Sequence, residues 1–214
     1  MKLITKAHRQ VHLALAMALL TLGLLISPVQ AGSISHETVT VAMASWEDED
    51  VWETGTGTIV FIATGEVTSQ NPPGNPSTMT MLDIQILQIV DWVPSIDISE
   101  SVPIPDTAIS IDRKLSTATL DVEVEVTDWS DWMNPTTLTI TIHVDWTGVG
   151  STTKTHSNYH YKADDVIMNY HYSAVHRDAA ADGAISGDLS IDLGALPLAY
   201  ASLESGKMSM IEVS

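Results

Sequence analysis

Apolar and polar residues alternate strictly in two runs within residues 117–148, and these two runs predict the centre of the fold. In residues 120–126 and 138–146 every second residue is Leu, Ile, Val or Trp, and those between are Asp, Glu, Thr or His. A period of two rich in β-branched residues is typical of strands with one buried and one solvated face. Residues 128–136 lie between the two runs and contain Asn134-Pro135, which favours a loop. The pattern predicts two neighbouring antiparallel strands in the middle of a sheet.

Shorter alternating runs follow one another along the rest of the chain, with turn signals roughly every 10–15 residues. No segment after residue 31 predicts a convincing helix. For residues 78–92 a helix is the rival interpretation, but their Ile, Val and Thr content favours a strand. The prolines of residues 93–107 favour an irregular stretch. The predicted fold class is all-β, as a single antiparallel β-sandwich (jelly-roll-like) or a β-barrel domain. The further strands are predicted at residues 37–45, 56–68, 78–92, 108–112, 152–161, 166–175, 190–193, 200–204 and 207–213.

The first 31 residues have a different character and predict export. Three basic residues precede the apolar run 13–26, and Val29-Gln30-Ala31 supplies small residues at the spacing that an export peptidase recognises. The run is shorter than the ~20 apolar residues that a membrane-spanning helix needs. We therefore expect a signal peptide at residues 1–31, cleaved to leave one domain at residues 32–214. The expected location is extracellular, or periplasmic in a Gram-negative organism, with no membrane span after cleavage.

Charge and cysteine content narrow the classes of partner and of chemistry. The chain has 27 acidic and 9 basic residues, a formal net charge of −18, and no cysteine. Such an acidic chain repels phosphate backbones, which argues against a nucleic-acid partner. Without cysteine there is neither a disulfide framework nor a thiol nucleophile.

Common catalytic motifs are missing, and one pair of carboxylates is the candidate for catalysis. There is no G-x-S-x-G, P-loop or G-x-G-x-x-G sequence, and His36-Glu37 lacks the second histidine of H-E-x-x-H. Glu123 and Glu125 are two residues apart on one strand face, so they lie ~6.5–7 Å apart along it. An inverting glycosidase separates its two carboxyl groups by ~6.5–9.5 Å. The favoured interpretation is nevertheless a solvated strand face, with an extracellular glycan hydrolase as the alternative.

Four histidines on predicted strands form a candidate transition-metal site. Turns centred near Val149-Gly150 and Asp165-Val166 would place His143 opposite His156 and His160 opposite His171. Directly opposed Cβ atoms lie ~4.5–5.5 Å apart, which allows two imidazoles to share a metal ion. Both registers are assumptions, and the competing interpretation is a set of solvated histidines.

Two tryptophans in the central loop form a candidate ligand-binding surface. Trp129 and Trp132 lie there with Asp128 and Asp131. An exposed ring beside a carboxylate offers a sugar an apolar face and a hydroxyl acceptor. The competing interpretation is a loop whose rings fold down over the end of the domain.

Together these observations predict a secreted, non-catalytic β-rich protein. It would bind an extracellular glycan or another surface component, with calcium as a candidate ligand, or serve as an extracellular structural or interaction protein. The alternative is the glycan hydrolase that uses Glu123 and Glu125.

The first testable prediction concerns calcium. Crowded carboxylates repel one another, and a hard divalent ion that binds several of their oxygens offsets the repulsion. We expect calcium to raise the melting temperature more than sodium chloride of equal ionic strength does, and thermal melts in the two salts measure this. Equal melting temperatures would contradict a calcium site. The candidate ligands are Glu47, Asp48, Glu49 and Asp50, and the pair Asp128 and Asp131.

Overall fold

The computed structural model describes residues 34–48, 50–70, 76–163 and 166–213, so the predicted signal peptide and Glu49 lie outside the described residues. Strand accounts for 75% of the structure. No helix in the described ranges is both long enough and apolar enough to cross a membrane. The elements are β1 (Ile34–Glu47), α1 (Val51–Thr54), β2 (Gly57–Gln70), β3 (Ser77–Val90), β4 (Val93–Pro103), β5 (Ile109–Ile111), β6 (Thr117–Asp128), β7 (Thr136–Gly148), β8 (Thr153–Ala163), β9 (Val166–Gly187), β10 (Ile191–Asp192) and β11 (Leu198–Val213), with 3-10 turns at Asp106–Ala108 and Leu193–Ala195.

All these strands belong to one antiparallel sheet that does not close. Its order is β4-β3-β2-β1-β11-β9-β7-β6-β5, and β8 and β10 also pair with β9. The first half of β9 pairs with β8 and β11, and its second half pairs with β7 and β10. The all-β prediction is confirmed, and the sheet is consistent with a sandwich-like or barrel-like domain. The predicted pairing of the two central strands is confirmed by β6 and β7.

The core lies between two parts of this single sheet. Alternate residues of β1–β4 and of β6, β7 and β9 form one buried apolar cluster, so the sheet folds over and buries one face, here called the inner face. The opposite face is called the outer face. The largest buried side chains are Trp46 of β1 and Trp146 of β7, and the indole N–H of Trp146 donates to the Met43 carbonyl oxygen over 3.0 Å. This bond links β7 to β1 across the core.

Strand β4 replaces the irregular stretch that the prolines of residues 93–107 predict. Pro94 and Pro103 lie at the two ends of β4, which is the edge strand of the sheet order. An edge strand tolerates proline because one of its sides needs no ladder hydrogen bond. The register between β3 and β4 also shifts after Gln88, close to Pro94.

Three further expectations about the chain's path are wrong. Asp91 and Trp92 do not continue β3 but form the β3–β4 turn with φ of 51° and 68°, and Trp92 is 63% exposed although its position in the alternation predicted a core residue. Its ring covers Gly55, where a Cβ would lie 2.4 Å from the indole. The small residues 179–187 continue β9 rather than form a connection, and the predicted hairpin at residues 200–213 is the single strand β11.

Trp146→Phe tests the link across the core. The change removes the 3.0 Å hydrogen bond to Met43 and leaves part of a fully buried volume empty. We expect the free energy of unfolding in urea to fall by about 1–3 kcal/mol. Trp132→Phe is the matched control, because Trp132 is 78% exposed, and it should change the value by less than about 0.5 kcal/mol. Equal effects of the two changes would show that the buried Trp146 indole adds no more to stability than the exposed Trp132 indole does.

Candidate functional site

Beyond the core, the inner face becomes polar toward the N-terminal end of β1 and forms a concave surface that we call the polar basin. Its cavity has a volume of about 540 Å³. The basin spans β2, β1, β11, β9 and β8, and its polar side chains fall in two cross-strand rows. One row contains Gln70, His36, Ser209, His171 and Asn158, and the other contains Thr38, Lys207, Ser173 and His156.

The register of these strands explains why polar groups converge here. Neighbouring side chains within a row lie ~4.5–5.5 Å apart, and the two rows are two residues apart along each strand, ~6.5–7 Å. Glu37, Met208 and Tyr172 form the intervening row, so their side chains point to the outer face while their backbone lies in the basin. Lys207 therefore shares this face with three imidazoles: His36 and His171 lie one strand and one row away, and His156 lies two strands away in the same row.

The basin contains a lysine and three histidines in an otherwise acidic chain. Lys207 is one of six Lys and Arg residues after residue 31, against 27 acidic residues in the chain. The inner-face side chains of the basin include no carboxylate, and the next one along β2 is Glu66, level with Thr40 and so one row beyond Thr38. A small anion in the basin can therefore accept hydrogen bonds from an ammonium group and from imidazole, hydroxyl and amide groups together.

A hydrogen bond to Asn158 orients the imidazole of His171. Nδ1 of His171 lies 2.8 Å from Oδ1 of Asn158, directly across the β8–β9 pair. An amide oxygen only accepts, so Nδ1 carries the hydrogen and, in the neutral ring, Nε2 keeps its lone pair. This tautomer leaves His171 able to take a proton from a bound molecule at Nε2.

The same arrangement occurs a second time in the β8–β9 hairpin. Nδ1 of His160 lies 2.6 Å from Oδ1 of Asn169, and Tyr159 lies opposite Tyr170 between the two histidine–asparagine pairs. The sequence Asn-Tyr-His-Tyr occurs at residues 158–161 and 169–172. The two copies are thus self-complementary in an antiparallel pair, because each asparagine meets the histidine of the other copy.

On the outer face, β9 and β11 hold a second cluster of titratable groups. Glu204 lies opposite His176, with its Oε2 3.9 Å from Nδ1, and it accepts a hydrogen bond from the Tyr172 hydroxyl. The ring of Tyr172 crosses Gly206, where a Cβ would lie 3.2 Å from the ring. His176 also lies 3.2 Å from Asp178.

These contacts shift three pKa values in directions that follow from charge and burial. The Glu204 carboxylate raises the pKa of His176, and Asp178 acts in the same direction. Interaction with His176 lowers the pKa of Glu204, aided by the Tyr172 hydroxyl. Burial and the neighbouring carboxylate raise the pKa of Tyr172, which keeps its phenol protonated.

One buried and one half-buried carboxyl group lie elsewhere on the outer face. Glu37 accepts a hydrogen bond from Ser69 over 3.0 Å, yet burial raises its pKa and its Oε2 has no partner. Burial likewise raises the pKa of Asp83, which has one unpartnered oxygen. Burial without a cationic partner favours the neutral form of both groups.

The histidines are not arranged as the assumed registers required. His143 lies opposite Asp121 and Ala184, His156 opposite Ser173, His160 opposite Asn169, and His171 opposite Asn158. The cause is that the hairpin begins its pairing at Ala163 and Val166, which moves its centre by one residue and each partner by two, and that β7 and β8 pair with different halves of β9. His143 instead lies 3.3 Å from Asp145 and 3.9 Å from Asp121 on the outer face.

The predicted carboxylate and tryptophan sites lie apart from the basin. Glu123 and Glu125 are exposed on β6, opposite Thr141 and Thr139. Trp129 and Trp132 are 48% and 78% exposed in the β6–β7 loop. Asp128 braces that loop against β4 by accepting from the Asp97 N–H over 2.9 Å.

The carboxylates predicted to bind calcium have structural contacts of their own. Asp48 accepts from the Thr58 N–H over 2.7 Å, Glu47 accepts from the Trp52 indole over 2.6 Å, and Asp131 accepts from Met133 and Asn134. Within the described ranges, no three His, Asp or Glu side chains are grouped closely enough to hold a metal ion. Glu49 lies outside those ranges, and the calcium melt remains the test.

Sequence reasoning missed Lys207, His36 and Gln70 as site residues. His36 and Gln70 lie just beyond the predicted strands 37–45 and 56–68, and Lys207 begins the predicted strand 207–213. Their convergence depends on the pairing of β1 with both β2 and β11. The detectable indication was the spacing along β1. His36 and Thr38 are an even number of residues from the core residues Ala42 and Ala44, which places all four on the same face.

Comparison with known proteins gives no family. No family model matches the chain, and no curated protein matches it. Two solved structures are similar. One is an acetoacetate decarboxylase-like enzyme from Sphingomonas wittichii RW1, with 7% identity over 85% of this chain and 92% of that chain, and a TM-score of 0.32. The other is an enduracididine biosynthesis enzyme, MppR, complexed with pyruvate, with 10% identity over 88% and 91% of the two chains, and a TM-score of 0.32.

These matches correct the predicted function. Both similar structures are described as enzymes, and neither is described as a secreted binding or structural protein or as a glycan hydrolase, so the predicted secreted, non-catalytic function finds no support among them. At such low TM-scores and identities the two likenesses assign no activity to this chain.

Glu204→Gln tests the outer-face cluster through the pH dependence of stability. The raised pKa of His176 gives stability that is present below about pH 6.5 and lost as pH rises through the folded value. The lowered pKa of Glu204 gives stability that is present above about pH 4.5 and lost as pH falls through the folded value. We therefore expect Glu204→Gln to cost about 1 kcal/mol more at about pH 5.5 than at about pH 9 in urea unfolding.

The matched control for this pH experiment is Glu123→Gln, because Glu123 is an exposed carboxylate on the same outer face. Its effect should be small at both pH values. A Glu204→Gln cost that is the same at both pH values would show that the charged pair with His176 does not stabilise the fold.

Proposed function

We propose that the polar basin binds a small anionic molecule and that His171 exchanges a proton with it, so that the chain acts as an acid–base enzyme. The observation that carries this proposal is the convergence of Lys207 with His36, His156 and His171 on one concave surface of an acidic chain. Charge-assisted hydrogen bonds from an ammonium group to a carboxylate or phosphate are about twice as strong as neutral ones. The substrate class is therefore a small carboxylate or phosphate.

The geometry around His171 supports its role in proton exchange. A general base needs a fixed orientation and a free lone pair within hydrogen-bond reach of the substrate. Asn158 supplies the orientation through the 2.8 Å contact with Nδ1, and Nε2 remains available in the neutral ring. Ser173 lies opposite His156 and two residues from His171 along β9. Its neutral hydroxyl can hydrogen-bond the substrate without opposing the substrate's charge.

The cavity limits the size of the substrate. Sites for small molecules in proteins commonly have volumes of ~300–1,000 Å³, and the basin, at about 540 Å³, falls within that range. The basin lies on paired strands rather than on loops, so its polar groups keep fixed separations, as catalysis requires.

Lys207→Ala tests anion binding. Titration with inorganic phosphate and with acetate, followed by NMR of the histidine ring protons, should give saturable shifts for the wild type. Loss of the ammonium group should weaken binding about tenfold or more, since a hydrogen bond to a charged group contributes about 1.5–3 kcal/mol. Lys114→Ala removes the same charge from the β5–β6 connection, outside the basin, and should leave binding unchanged. Equal weakening by both changes would indicate general charge effects and contradict a site.

His171→Gln separates catalysis from binding. The variant keeps a polar side chain but loses the base, so on a panel of small carboxylates and phosphate esters it should lose turnover and still bind phosphate. Wild-type binding without any turnover on such a panel would contradict the catalytic part of the proposal and leave the anion site in place.

A further inference from the structure

Strand β8 has an edge that no other described strand covers. It pairs with β9 on one side, and the strand order places nothing on its other side among the described residues. Residues 151–160 are all exposed, and Tyr159 is 59% exposed. An uncovered strand edge presents unpaired N–H and C=O groups that can pair with another chain.

Other edges of the sheet are protected, and β8 differs from them. The edge strand β4 has a proline at each end and a register shift, and the β6–β7 loop lies against it through the 2.8 Å bond from the Trp129 N–H to Asp97. The edge strand β5 has only three residues. In contrast, β8 pairs with β9 over eleven residues without a register shift and contains no proline, glycine or acidic residue. Its two lysines lie near its two ends, which leaves a neutral centre at residues 155–161.

The centre of β8 is self-complementary, and the structure already contains the pairing that a second copy would repeat. Within the hairpin, Asn158-Tyr159-His160 pairs antiparallel with its own repeat in β9, through histidine–asparagine contacts of 2.8 Å and 2.6 Å that flank a tyrosine pair. The same three residues lie along the uncovered edge of β8. Another β8 can therefore supply Asn158 and His160 in the same order. Because Oδ1 of Asn158 and Nδ1 of His160 are used within the hairpin, the contact between copies would run from the Asn158 amide N–H to Nε2 of His160.

We propose that the uncovered edge of β8 binds the β8 edge of a second copy of this chain, as an antiparallel pair with a two-fold axis through Tyr159. In this register Asn158 of each copy lies opposite His160 of the other, and Tyr159 lies opposite Tyr159. Lys162 of each copy lies opposite His156 of the other, and positions 154 and 162 oppose neither each other nor themselves, so no lysine meets a lysine. Closed two-fold pairing of one patch with itself is the commonest form of protein assembly.

The pairing extends the inner face of one copy into the inner face of the other. Opposed residues of an antiparallel pair lie on the same side of the sheet, so His160 of the second copy would lie next to Asn158 at the wall of the polar basin. The dimer does not depend on anion binding, because none of its contacts requires a ligand.

Cysteine cross-linking tests this register, because the chain contains no cysteine of its own. In Tyr159→Cys the two thiols face each other at the two-fold axis, with Cα atoms ~4.5–5.5 Å apart, within the ~4.4–6.8 Å that a disulfide spans. Mild oxidation should give a covalent dimer on a non-reducing gel. Thr153→Cys, on the same strand, is the control: its two copies would be offset by twelve residues along the pair, ~40 Å, and should not cross-link. Equal cross-linking of both variants would overturn the register.

Light scattering of chains without cysteine gives the second measurement. The wild type and Tyr159→Phe should be dimeric, because the phenylalanine keeps the aromatic pair at the axis. Tyr159→Lys places two like charges opposite each other and should weaken the dimer at least tenfold, with an unchanged far-UV circular dichroism spectrum. A monomeric wild type, or a dimer that Tyr159→Lys leaves intact, would overturn the proposal.

Discussion

The register of β1 with its two neighbours is the constraint on which the rest of this structure depends. β1 pairs with β2 over twelve residues without a shift, and with β11 over twelve residues before a single shift between Ser45 and Trp46. Because side chains alternate between the faces of a sheet, a slip by one residue would move Ala42 and Ala44 out of the core. The same slip would move His36 and Thr38 out of the polar basin. Core and basin are therefore fixed by one set of backbone hydrogen bonds, and the basin needs no loop to position it.

The strand pattern of this chain could be predicted where alternation was strict and both sides of the strand were paired. β6 and β7 were found with nearly their observed ends, because their apolar residues all face one core. β4 was missed, since an edge strand admits prolines that a central strand excludes. The lengths of β9 and β11 were underestimated for a different reason. Gly183 and Gly206 lie between the predicted strands, yet each continues a strand at a point where a neighbouring group approaches closely: the His143 carbonyl oxygen at Gly183 and the Tyr172 ring at Gly206.

The basin was harder to predict than the fold because it consists of residues that are far apart along the chain and of ordinary types. His36 and His171 come together only through the order β1-β11-β9, a long-range pairing that periodicity does not reveal. Two of the four histidines proposed as metal ligands, His156 and His171, do line the basin, but they lie in neighbouring rows and not opposite each other. The Asn-Tyr-His-Tyr repeat was visible in the sequence. Its meaning required the register, which turns two short copies into reciprocal histidine–asparagine pairs.

The charge of the chain bears on the kind of anion that the basin can accept. A formal net charge of −18 gives a surface that repels anions, and screening limits this repulsion to about 8–10 Å at physiological salt. A small carboxylate or phosphate within the basin lies among Lys207 and the imidazoles, and the nearest inner-face carboxylate along β2 is Glu66, a row beyond them. A long polyanion bound at the same place would extend over the acidic surface around it and meet that repulsion along its length. If the proposed site exists, we therefore expect it to favour a small anion over a nucleic acid.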